Sequence, residues 1–310
     1  MVNHTKGLTT YCIKAERLRG NIICGLSGIA GRGLDLKQLN LFKDLLYVSS
    51  LRGPHSTGVA SISNDKIVLN KITGDAALFL DYFGGPKGYL MRKRQIALIG
   101  HARWATIGNV TKANAHPYDT GRFIAAHNGT LRDREFTPGK HETRTDSELM
   151  FRAMNTKGIV PVLSNLSWWS AYAVSIWEKD TKKLYLARNT ERPLFYGIQK
   201  DSPTVIWGSE LRHLLFAAMG VGLEFDYFKC KADHVYTFDV GTMTNDEMFT
   251  MEKLPEKTIP SVYTSSFMEW DWDETAGDFR PRTIGPASNT NTTSSSSNTT
   301  YTEGQDPLPF

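Results

Sequence analysis

The chain has 310 residues, 40% hydrophobic and 22% charged, with a formal net charge of +4. That length can bury a full core, and that composition is the composition of an ordinary soluble globular protein of one large domain or two small ones. No run of 18 apolar residues exists to cross a membrane, no clustered basic face points to nucleic acid, and Cys12, Cys24 and Cys230 are too few and too scattered for a disulfide framework or a metal site. A reducing, cytoplasmic setting is expected from that cysteine usage.

In chain order, residues 1–23 come first. They carry Lys6, Lys14, Arg17 and Arg19 against Glu16 alone and lack the apolar core of a secretory signal, so they read as a disordered extension or a propeptide. The run Ile22–Gly31 is small and β-branched, a buried strand with Cys24 near its head. From Asp35 the residues Leu36, Leu39, Phe42, Leu45 and Leu46 recur at helical spacing, with Gly53-Pro54 as the stop. Alternation in 58–63 and 66–72 around Asn64-Asp65 predicts a β-hairpin. A short helix over 76–83 follows, then strands at 96–100 and 122–126 with a loop carrying Arg103 and Trp104 between them. Thr145 and Glu148 form a capping-box pattern, predicting a helix to about Met154. Strands are expected at 171–177, 184–188, 194–198 and 204–208, a helix over 211–219, and a last hairpin, 235–239 with 243–251, around Gly241. This pattern gives α+β, antiparallel sheets covered by helices. After Pro260 the composition becomes acidic and aromatic and then almost wholly Ser, Thr and Asn, so 259–310 is expected to be largely disordered.

Cys24 alone would read as a buried structural thiol. The motifs that follow it change that reading: Arg52-Gly53-Pro54-His55-Ser56, His101-Ala102-Arg103-Trp104-Ala105-Thr106, Asn114-Ala115-His116-Pro117, His127-Asn128-Gly129 and Thr145-Asp146-Ser147-Glu148. Taken in order, this series resembles the glutaminase domain of class II glutamine amidotransferases, which are N-terminal-nucleophile hydrolases. The likeness is greatest to the glutaminase half of glucosamine-phosphate synthases. The resemblance implies a four-layer αββα sandwich over 24–258 and hydrolysis of L-glutamine to glutamate and ammonia through a thioester on Cys24, with no cofactor and no metal. His101, His116, His127 and His141 have no spacing that supports a metal site.

The chemistry fits the residue types. A thiolate is a strong nucleophile, and the α-amine of an N-terminal Cys, with a reference pKa of about 7.7–8.0, can relay its proton. That requires Cys24 to become the first residue. By resemblance, Asn128 and Gly129 supply the oxyanion hole. By themselves they read as an Asn-Gly turn after a strand. Arg103 offers a fork for the substrate carboxylate and Asp146 a charge for its ammonium. Asp146 is equally a favourable acid at a helix N-terminus. Trp104, Thr106, His116 and Arg52 complete the substrate-binding set. His55 stands where the family pattern has Asp.

Relatives continue into a domain that consumes the ammonia, whereas the residues after 258 here are too polar to build one. A separate synthetase- or transferase-like partner is therefore expected, and the aromatics Phe267, Trp270 and Trp272 either form its docking hook or fold back onto the domain's own surface. Two other readings stay open: a γ-glutamyl amide hydrolase using the same residues, and a non-catalytic binding or assembly protein in which Cys24 stays unprocessed.

Overall fold

A computed structural model of the protein describes residues 24–85, 90, 94–105, 107–139, 143–257, 269–273 and 278–282. The expected extension at 1–23 lies outside these residues, as does most of 259–310. Within the latter, Glu269–Asp273 pairs antiparallel with Asp278–Arg282, which the sequence reading did not anticipate.

The first sheet contains β1 (Gly25–Gly31), β2 (Ser56–Ser63), β3 (Ile67–Thr73), β4 (Gln95–Arg103), β9 (Phe195–Gln199), β10 (Thr204–Gly208) and β11 (Phe225–Lys229), in the spatial order β11-β9-β10-β1-β4-β2-β3. The second contains β5 (Tyr118–Asp119), β6 (Phe123–Thr130), β7 (Ala171–Glu178), β8 (Lys183–Arg188), β12 (His234–Asp239) and β13 (Thr250–Lys253), in the order β13-β12-β8-β7-β6-β5. Pairing within both is antiparallel.

Side-chain alternation puts a different partner on each face. Leu26, Ala30, Ile99, Trp207 and their neighbours meet Ile124, Ala126, Ala173 and Trp177 to form the core between the sheets. The outer face of the first sheet, with Ile29, Leu98 and Ile206, is covered by α1 (Leu36–Ser49), α2 (Ala76–Phe83) and α5 (Leu211–Val221). The outer face of the second, with Phe123, Val174 and Ile176, is covered by α3 (Asp146–Lys157) and α4 (Ile159–Asn165). The architecture is thus the four-layer αββα sandwich.

Close approach is built into β1. A Cβ on Gly28 would lie 2.0 Å from the indole ring of Trp207, a fully buried side chain of the inter-sheet core. Glycine is what lets that ring lie flat across the strand. Asp35 starts α1 with a complete capping box: its carboxylate accepts from Gln38 N–H at 2.8 Å, and Gln38 Oε1 accepts from Asp35 N–H at 2.9 Å.

Several boundaries differ from those expected. β4 runs on to Arg103 and β6 to Thr130, so Arg103, Asn128 and Gly129 sit on strand ends rather than in loops or turns. α4 and β11 were not expected. The Ile159-Val160-Pro161-Val162 run is β-branched, but Pro161 lies in the first turn of α4, where its missing N–H costs nothing. β13 begins at Thr250, so the last connection is longer than a tight hairpin.

Candidate active site

β1 lies between β10 and β4 in the centre of its sheet, and Cys24 directly precedes it. Continuing the two-residue period of Leu26 and Ala30 puts the Cys24 side chain on the inter-sheet face, and that of Ile124 and Ala126 puts Asn128 on the facing one. Cys24 is 9% exposed. Its Sγ accepts the Trp104 N–H at 3.2 Å and donates to Trp104 O at 3.3 Å. Burial pushes the thiol up, opposed by the Trp104 hydrogen bond and by the charges of Arg103 and Arg52.

A small, partly open cleft lies here, lined by Cys24, Arg103, Trp104, Ile107, His116, His127, Gly129, Thr145, Asp146 and Ser147. Two opposite charges are buried in its wall. Arg103 is 3% exposed, and its Nη1 and Nη2 donate to Asn109 O at 3.2 Å and Ile107 O at 2.5 Å. Asp146, 5% exposed, accepts the Leu131 N–H at 2.9 Å and the Ser147 hydroxyl at 3.4 Å. Among the described residues neither has an ion-pair partner. A buried unpaired charge is costly unless a ligand compensates it, so the wall offers one site for an anion and one for a cation.

Burial disfavours the charged form of the three histidines packed around the cleft. Burial lowers His101 to about 3, His116 well below the usual imidazole range, and His127 below it despite the charge of Asp146. His101 Nε2 is bonded to His127 O at 3.0 Å, and His127 Nδ1 to the Ser147 hydroxyl at 2.8 Å. None of the described histidines is hydrogen-bonded to the Cys24 thiol. The ring of His116 lies 4.2 Å from that of His101, and both its nitrogens lack partners among the described residues. No three His, Cys, Asp or Glu side chains among the described residues gather as metal ligands would.

Gly129 has φ 155°, and a Cβ there would lie 1.9 Å from Ala171 O on β7. Glycine thus answers a close strand approach at the cleft and not a turn. Asn128 is fully buried, and its Nδ2 donates to Ser209 Oγ at 3.2 Å.

The glutamine amidotransferase domain family matches residues 84–259, more than half of the chain. This chain belongs to that family. The glutamine--fructose-6-phosphate aminotransferase [isomerizing] of Methanococcus maripaludis is 31% identical over 58% of this chain and 32% of its own length. The enzyme of the same name from Zymomonas mobilis is 31% identical over 56% of this chain and 30% of its own. The chain therefore spans about a third of the curated relatives it matches. The glutamine phosphoribosylpyrophosphate amidotransferase from B. subtilis superposes with a TM-score of 0.57 at 20% identity, over 76% of this chain and 50% of that one, a likeness of fold.

Within this amidotransferase domain, the cleft brings together Cys24, Arg103, Trp104, His116, Gly129 and Asp146 of the residues singled out from sequence. Thr106 lies outside the described residues. Arg52 does not line the cleft. Its Nε donates to Cys24 O at 3.2 Å and its guanidinium pairs with Glu210, so it ties the head of β1 to the segment before α5. His55 accepts the Ala105 N–H through Nδ1 at 3.1 Å and stacks on Trp104 with centroids 4.2 Å apart. It thus supplies an acceptor to the segment after Trp104, whose backbone holds the Cys24 thiol. Ile107, Thr145, Ser147 and Ser209 were missed. Thr145 and Ser147 stand in the Thr145-Asp146-Ser147-Glu148 motif, which could have pointed to them, whereas Ile107 and Ser209 had no such signal.

Proposed function

We propose that residues 24–258 form a glutaminase unit that hydrolyses L-glutamine to glutamate and ammonia, and that the ammonia passes to a separate synthetase- or transferase-like acceptor. The observation that carries this is the pairing of a buried, uncompensated Arg103 and Asp146 in one cleft with the Cys24 thiol. Free glutamine matches it group for group: α-carboxylate to the Arg103 fork, α-ammonium to Asp146, side-chain amide to Cys24. Ile107 and Trp104 supply the apolar wall along the substrate's methylenes.

The Cys24 sulfur attacks the amide carbon, and the carbonyl electron pair moves onto oxygen. Asn128 and the Gly129 N–H receive that charge. The tetrahedral adduct collapses as the nitrogen takes a proton and leaves as ammonia, and water then hydrolyses the thioester to glutamate and free thiol.

The thiol proton needs an acceptor. Among the described residues Sγ is bonded to Trp104 backbone alone, and burial weakens His101, His116 and His127 as bases, the first and last of them also being hydrogen-bonded elsewhere. This supports the free α-amine of Cys24 as the base, and with it removal of residues 1–23 by cleavage between Ile23 and Cys24. Burial of an unpaired thiol also suits a reducing compartment such as the cytoplasm.

The test is intact mass alongside turnover. Active protein is expected to begin at Cys24, with Cys24→Ala inactive and glutamine preferred over larger γ-glutamyl amides. Full activity in a chain that retains residues 1–23 would overturn the amine-base mechanism.

A further inference from the structure

The connection from β10 to α5 runs Gly208-Ser209-Glu210, and two of its side chains reach the head of β1. Glu210 pairs with Arg52, which holds the Cys24 carbonyl. Ser209, 1% exposed, does something different. Its Oγ accepts the N–H of Leu26, two residues beyond Cys24, at 3.0 Å. The same Oγ accepts from Asn128 Nδ2 on the facing sheet at 3.2 Å. Its backbone N–H donates to Leu26 O at 3.2 Å, which anchors the serine to β1 independently of the hydroxyl. One buried hydroxyl therefore spans the gap between the nucleophile's strand and the proposed oxyanion donor.

Two polar groups at this junction remain unplaced. Asn128 Oδ1 is buried and has no partner among the described residues. The Ser209 hydroxyl receives two bonds among the described ones and still has its own proton to give. A half-turn of the Asn128 carboxamide about its Cβ–Cγ bond resolves both. Oδ1 then faces Ser209 and takes that proton, Leu26 N–H keeps the hydroxyl's lone pair, and the one Asn128 N–H bond to Ser209 is released, which leaves both Nδ2–H groups to donate elsewhere. The chain of bonds runs one way, from Leu26 N–H to Ser209 Oγ, from Ser209 O–H to Asn128 Oδ1, and from Asn128 Nδ2–H outward. Each bond polarises the next.

We propose that Ser209 is the positioning residue of the oxyanion donor: pinned by Leu26, its hydroxyl turns the Asn128 carboxamide so that its N–H groups face the oxygen of the reacting amide. This rests on the glutaminase reading above. It also gives the central strand a second task. The backbone that carries the nucleophile sets the orientation of the group that stabilises the nucleophile's product.

The experiment is a steady-state glutaminase cycle on the full chain, comparing wild type, Ser209→Ala, Ser209→Thr, Asn128→Ala and the Asn128→Ala/Ser209→Ala double variant. Ser209→Ala is expected to lower kcat about 10- to 100-fold, the scale of lost support behind a reacting group. Its KM should stay within about twofold, because ground-state binding is untouched. Ser209→Thr, which keeps the hydroxyl, should recover most of the rate. In the Asn128→Ala background the Ser209→Ala change should cost nothing further, since it acts through Asn128. If Ser209→Ala is unfolded at the assay temperature, Ser209→Cys, similar in shape but a weaker donor, takes its place in the cycle. An unchanged kcat, or losses that multiply in the double variant, would overturn the proposal while leaving the glutaminase reading intact. A wild-type chain that turns over no glutamine would overturn both.

Discussion

Replacing Arg103 with Lys tests substrate recognition most sharply. The guanidinium spends one N–H on Asn109 O and one on Ile107 O, and among the described residues the rest of its fork has no partner. An ammonium is a point donor on a flexible stem and cannot reach two carbonyls and a carboxylate together. Loss of one charged hydrogen bond to the substrate carboxylate amounts to about 1.5–3 kcal/mol, or about ten- to a hundred-fold in glutamine affinity. The change also strands a buried loop carbonyl, costing about 1–3 kcal/mol of stability. For a domain of this size that corresponds to a fall in Tm of about 2–10 °C. Steady-state kinetics should show KM raised with kcat nearly kept, and calorimetry a modest drop in Tm. A KM within twofold of wild type, in a variant that folds, would refute the assignment of Arg103 to the carboxylate.

Asp146→Asn removes the opposite charge but keeps an acceptor for the Leu131 N–H, and the helix cap is Thr145, so KM should rise about tenfold with little change in Tm. The buried histidines make the fold acid-sensitive. The unfolded chain takes up their protons below about pH 6.5 while folded His101, at about 3, does not, so stability is complete above that pH and falls by about 1.4 kcal/mol per unit as pH drops towards 3, from His101 alone. Denaturant midpoints measured from pH 7 to 5 should decline, and His101→Gln should flatten the slope. Gly28→Ala drives a methyl into the Trp207 ring and should cost about 1–3 kcal/mol or more, read as a lower denaturant midpoint and altered tryptophan fluorescence.

Much of this architecture was legible because local chemistry and fold agree. Asn64-Asp65 between alternating runs gave the β2–β3 hairpin, and Asp35 gave the start of α1. Asn128-Gly129 reads by itself as a turn, yet its glycine answers a neighbour distant in sequence, the Ala171 carbonyl, and no local pattern reports that. α4 was hidden by its Val and Pro content, which tertiary packing of Ile159, Val162 and Leu163 overrides. The residues of the cleft stand mostly in the ordered motifs, whereas Arg52, expected in the substrate-binding set, bonds the Cys24 carbonyl and Glu210 and does not line the cleft. Ser209 had no motif at all, because its importance lies in a contact made across 183 positions of chain.

The position of β1 has a practical consequence. Chain ends ordinarily fray, and they tolerate tags for that reason. Here the bond ahead of Cys24 adjoins a strand laddered on both sides, by β10 and β4, with Arg52 fastened to the Cys24 carbonyl. An amine exposed there would be held nearly as rigidly as a core side chain, and it would be unavailable for labelling without loss of the reacting group. Fluorophores and affinity handles belong instead on β13, an edge strand whose four residues all face solvent.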